Sequence, residues 1–174
     1  MRHFALSAVG RDRPGIVAAM SEALLRHEAN IEDSQMTILR GHFAMMLVVS
    51  LPEGADAARV RSDLAAAGER LSLEAVAFSP LEEIDAAAEP VPSHIVTVYG
   101  VDHPGIVHAV ASALAERGVD ITDLTTRVLG EEDEPIYALM MEVAVPAGEE
   151  ISLDAVAAEQ GVEVTVRPLE ADAL

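Results

Sequence analysis

An α+β protein built twice from the order β-α-β-β-α-β is predicted, on three observations. The residues GRDRPGIVAAM at 10–20 return as GVDHPGIVHAV at 100–110. The two copies stay in step at an offset of 90 without a gap: Ala19 matches Ala109, Leu24 matches Leu114, Ile31 matches Ile121 and Asp33 matches Asp123. Within each copy, strand-like runs and segments of helical period follow one another in the same order.

Taken in order, HFALSAVG (3–10) and HIVTVYG (94–100) are apolar with β-branched or aromatic content, as strands are. Pro14 and Pro104 follow, and proline suits a first helical turn because the N–H it lacks has no partner there. Ile16, Met20, Ala23 and Leu24 then recur at helical spacing, as do Val107, Val110, Ala111 and Leu114. Strands are expected at 31–39 and 43–51, joined by the tight RGH turn at 40–42. The second copy has them at 121–129 and 136–145, joined by the acidic GEEDEP loop. A second helix is predicted over 55–71, with Val60, Leu64 and Leu71 on one face, and a shorter one near 152–160. Last strands fall at 73–78 and 162–167. This order is the ferredoxin-like split βαβ, an antiparallel sheet with both helices on one face. Between the copies, SPLEEIDAAAEPVPS (79–93) has the Pro, Ala and acid content of a linker. The units therefore read as 1–80 and 93–170, with a linker at 81–92.

Composition narrows the function. The formal net charge is −19, every one of the 11 basic residues is arginine, and no arginine cluster appears. Such a chain repels phosphate backbones, so no direct nucleic-acid binding is expected. No uninterrupted run of about 18 apolar residues is present, and the N-terminus does not read as a secretory signal. With no cysteine, thiolate and disulfide chemistry are absent. A cytoplasmic protein is expected. The serines lack a G-x-S-x-G context, so no catalytic residue is assigned. No cofactor is implied. His103 and His108 beside Asp102 have no counterpart in the first copy, which carries Arg13 and Ala18, and no metal site is expected. The methionines at 36, 45, 46, 140 and 141 read as core or interface packing, and EEDE at 131–134 as a solvated hairpin tip.

The repeated loop carries the functional signal. Asp-x-Pro-Gly ahead of a helix leaves backbone N–H groups near Gly15–Ile16 and Gly105–Ile106 free to hold a carboxylate. Glycine there lets a ligand approach the backbone. Asp12 or Asp102 can accept from an ammonium, and Arg13 and His103 lie in the same loops. Asn30 and Asp120, each just before the second strand, complete a set suited to a zwitterionic α-amino acid, with Asn30 bridging its two charges. Asp102 and Asp120 together favour a cation over a carboxylate, so the first copy is the better site.

GRDRPGIVAAMSEALLRHEANI and GVDHPGIVHAVASALAERGVDI resemble the opening of an ACT domain, a small regulatory module that binds amino acids. The resemblance runs through both copies. Tandem ACT domains alone resemble the glycine cleavage system transcriptional repressor family. That resemblance implies a non-enzymatic sensor of glycine or serine acting through a protein partner, a transcriptional activator, rather than on DNA. It also implies ligand contacts at Asp12, Gly15 and Asn30 and at Asp102, Gly105 and Asp120. The chain departs from the pattern in two ways: amino-acid-binding ACT domains often carry Asn or His where these loops have Asp, and Asp120 replaces the more usual Asn. Formyltetrahydrofolate deformylases and some phosphoserine phosphatases begin with similar segments but need a catalytic domain for which no residues are expected here. A homodimer is expected. The alternative is a ligand-free ACT-type interaction or oligomerisation module.

Overall fold

The computed structural model describes residues 1–82, 90–129 and 135–169. Most of the linker and the EEDE run therefore lie outside the described residues. The chain divides into two units, Met1–Ile84 and Asp85–Leu174.

In the first unit the order is β1 (Arg2–Arg11), α1 (Ile16–Leu25), β2 (Asn30–Leu39), β3 (His42–Leu51), α2 (Ala57–Arg70) and β4 (Leu73–Pro80). The sheet is antiparallel in the order β2-β3-β1-β4. Alternation along the strands decides which face is covered. Phe4, Leu6 and Ala8 of β1 and Phe43, Met45, Leu47 and Val49 of β3 point into the core. They meet Ile16, Met20, Ala23 and Leu24 of α1 and Val60, Leu64 and Ala67 of α2. Phe4 and Phe78 stack with ring centroids 4.7 Å apart. The β2–β3 hairpin closes through Arg40 (φ 50°) and Gly41 (φ 82°), a two-residue turn with both φ positive, whose twist suits the paired strands.

The second unit repeats the plan with β5 (His94–Val101), α3 (Ile106–Ala115), β6 (Asp120–Leu129), β7 (Ile136–Ala144), α4 (Asp154–Gln160) and β8 (Glu163–Pro168), in the sheet order β6-β7-β5-β8. Its core joins Val96, Val98, Ile106, Val110, Leu114, Leu139, Met141 and Val143. The methionines divide as alternation requires: Met45 and Met141 are buried, while Met36, Met46 and Met140 are exposed.

Three local readings are refined. Neither proline sits inside its helix: α1 and α3 start one residue after Gly15 and Gly105, which are the N-cap residues. The second helices start later than expected, at Ala57 and Asp154. The linker-like composition begins inside β4, which runs to Pro80, and the Leu81 amide donates to the carbonyl of His3 at 2.9 Å. At the other end the Ser93 amide donates to Val143 at 2.8 Å. Composition reports solvent exposure, and an exposed strand end is composed like a linker.

Candidate functional site

The two strand-to-helix loops, 12–15 and 102–105, are held by backbone geometry. Gly15 has φ 94° and Gly105 φ 111°, a region in which an L side chain is strained. A Cβ on Gly15 would meet nothing within 4 Å, and on Gly105 only Gln160 Oε1 at 3.5 Å. The glycine thus serves the turn, not close packing. Close packing explains the other repeated glycine. A Cβ on Gly10 would lie 2.9 Å from the Leu73 backbone, and one on Gly100 would lie 2.7 Å from the Val162 side chain.

Aspartate does not cap these helices. Among the described residues, no side chain bonds the first N–H groups of α1 or α3. The leading amides of each helix have no intrahelical acceptor either, as at any helix start. By contrast, α2 is capped by Asp56, whose carboxylate accepts from the amides of Ala58 and Arg59 at 3.0 and 3.3 Å. Asp12 is exposed, and its amide donates to the Gly41 carbonyl at 2.8 Å, tying the loop to the hairpin tip. Arg13 is exposed beside it. Ile16 and Ile106 are buried, so only their backbone amides face the loop.

Asn30 and Asp120 are placed elsewhere. Asn30 pairs with Ser50 across the sheet, and Ser50 pairs with His3 of β1. Asn30 therefore belongs to the His3 end of the sheet, while the Asp12 loop follows the opposite end. Nine residues of extended strand, about 30 Å, separate them. The bridge expected between Asp12 and Asn30 cannot form within one unit, because the intervening helix carries the chain back across the whole sheet. Asp120 likewise pairs with Ala144, next to the Val143 that faces His94, far from Asp102. Within one unit the two aspartates therefore do not share a site.

Asn30 instead lines an open depression of about 490 Å³ with Ala18, Ser21, Leu25 and Ile31. Glu22, at its rim, accepts from Arg26 at 2.7 Å, and this hydrogen bond holds the Glu22 carboxyl below its usual range.

The second loop is not a copy of the first. His103, half-buried, turns Nδ1 to the Pro104 carbonyl at 3.1 Å and Nε2 to the Gln160 carbonyl at 2.9 Å. Gln160 was not among the residues the sequence singled out. Nothing in its local pattern distinguishes it from any polar residue ending a helix. Asp56 did carry a signal, a capping residue just before a helical run.

Residues 2–77 and 94–161 each match the ACT domain family. The chain is a tandem ACT-domain protein. A protein of the UPF0237 group from Methanopyrus kandleri is 42% identical over 77 residues, 44% of this chain and 86% of that protein. Phosphoserine phosphatase SerB2 of Mycobacterium tuberculosis is 31% identical over 167 residues, 92% of this chain, and the chain spans only 39% of the length of that enzyme. Among solved structures, an unknown protein from Galdieria sulphuraria superimposes with a TM-score of 0.78 at 29% identity, covering 97% of this chain and 98% of the other. A candidate glycine cleavage system transcriptional repressor shares the fold, with a TM-score of 0.70 at 19% identity and 97% coverage of both chains. Both units of this tandem ACT-domain protein thus carry the module's helix-start loop, and no helix among the described residues is long and apolar enough to cross a membrane.

Proposed function

We propose that this tandem ACT-domain protein is a non-enzymatic sensor of a small α-amino acid of the glycine or serine class, held at the first helix-start loop. It reports through protein contact, with a transcriptional regulator as the partner. The observation that carries this reading is the pairing, at the start of α1, of uncapped amides with an exposed Asp12 on a loop anchored to Gly41. The amides near Ile16 suit the ligand carboxylate, and Asp12 suits its ammonium. The net charge of −19 argues for a protein partner rather than DNA. Since Asn30 lies at the far end of its own sheet, it reaches such a ligand only from another copy of the chain, which fits a homodimer.

The test is a melting panel of the amino acids. A ligand bound only by the folded state adds about 2.7 kcal/mol at a hundred times its dissociation constant. Asp12→Ala is expected to abolish the shift. Asn30→Ala is expected to abolish it too if a second copy completes the site, and the shift then weakens on dilution to monomer. No shift with any amino acid leaves the ligand-free interaction module as the account. One observation favours that second reading on its own: all ten residues of β2 are exposed, with Met36, Ile38 and Leu39 among them, an edge open to another chain.

A further inference from the structure

We propose that His103 is a proton-operated latch, whose imidazolium ties the second helix-start loop to the C-terminal end of α4. Both ring nitrogens face oxygens that can only accept: Pro104 O at 3.1 Å and Gln160 O at 2.9 Å. A neutral imidazole has one N–H, so it satisfies one carbonyl and turns a lone pair toward the other. The imidazolium donates to both. No choice of tautomer removes this asymmetry.

The receiving end suits a cation. Gln160 is the last residue of α4, and its carbonyl is among those without an intrahelical donor. The contact also brings α4 against the start of α3, since Gln160 Oε1 lies 3.5 Å from where a Cβ on Gly105 would stand. The titratable groups on the surrounding elements are Asp102 in the loop, Glu159 of α4, Glu163 of β8 and His108 of α3. Asp102 favours the charged ring, and His108 has its Nδ1 turned to Ser112 Oγ at 3.5 Å. The His103 pKa is accordingly raised above 6.5, first by the Gln160 carbonyl, then by that of Pro104, with partial burial opposing and Asp102 assisting.

A folded-state pKa above the unfolded one makes the latch complete below pH 6.5 and loosens it as pH rises through the folded value. The first unit has the guanidinium of Arg13 at this position, with no imidazole to make the same two contacts. This latch is therefore particular to the second unit. It operates whether or not an amino acid binds the protein.

Two measurements on the full chain test it. NMR titration of the His103 ring is expected to give a midpoint above 6.5. Protection of the Val162 amide, which bonds the Ala157 carbonyl at 3.1 Å in the final turn of α4, is expected to fall severalfold through the same midpoint, after correction for intrinsic exchange. His103→Gln removes that step and leaves protection at its high-pH level, while His108→Gln leaves the step in place. A His103 midpoint at or below 6.5 overturns the latch, as does a protection step that survives His103→Gln. The ring titration needs no variant and decides the matter if His103→Gln does not fold.

Discussion

The first unit closes its sheet with α2, fourteen residues long, capped by Asp56 and burying Val60, Leu64, Ala67 and Gly68. The second unit has α4 in that place, seven residues long, its N-cap residue Leu153 giving no side-chain cap and none of its residues fully buried. The consequence reaches the loops. Where the second helix is long and apolar on one face, burial fixes it, and the helix-start loop is left open with Arg13 in solvent. Where the helix is short, burial cannot fix it alone, and a charged hydrogen bond from the loop supplements it through His103 and Gln160. One fold thus distributes its stability differently in its two copies, and in the second copy the helix-start loop is itself tied to the second helix through a titratable side chain.

The largest effect expected from this contrast comes from truncating the buried face of each second helix. Leu64 is fully buried, and Leu64→Ala removes atoms from a closed core, costing about 3–5 kcal/mol. Val156, only partly buried in α4, is expected to lose about 1 kcal/mol on Val156→Ala. Denaturant unfolding followed by amide exchange in each unit separates the two. Equal costs would mean that α4 is held by burial after all.

The fold was readable in the sequence because its signals are local and repeated. Apolar runs with β-branched or aromatic content marked the strands, helical spacing of Ile16, Met20, Ala23 and Leu24 marked α1, and the 90-residue offset confirmed the same order read in the second copy. The site was readable only as a list of residues. Asp12 and Asn30 look adjacent when the chain is described as loop, helix, strand, because spacing along the sequence says nothing about which end of the sheet each reaches. Only the register, with Asn30 opposite Ser50 and Ser50 opposite His3, separates them. Gln160 was invisible for the same reason. It matters through a backbone carbonyl, which every residue type has. The role of Gly15 was half visible: glycine was expected, but for ligand access rather than for its φ of 94°.

A sharper comparison follows at that glycine. Gly15→Ala and Gly105→Ala both force an L side chain into a left-handed conformation, at about 1–2 kcal/mol each. The space around them differs little: open solvent at Gly15, and ordinary van der Waals distance to Gln160 Oε1 at Gly105. Similar losses in both units are therefore expected, measured by the same exchange experiment. A much larger loss at Gly105 would show that α4 presses on the second loop more tightly than 3.5 Å implies.

The smallest effect isolates the cap that Asp56 gives α2 and that Leu153, the N-cap of α4, cannot give. Asp56 accepts from the amides of Ala58 and Arg59, two of the N–H groups that α2 cannot satisfy internally. Asp56→Ala strands both donors at an exposed site, where water replaces the carboxylate in part, and the cost is about 1 kcal/mol. The loss is expected in amide exchange at the start of α2, with the loop at 12–15 unaffected, because that loop is anchored to Gly41 rather than to α2. Asp56→Asn keeps an acceptor at the same position and is expected to restore most of the stability. If Asp56→Ala also loosened the Asp12 loop, the open loop of the first unit would depend on its second helix as the latched loop does, and the contrast between the units would be one of degree.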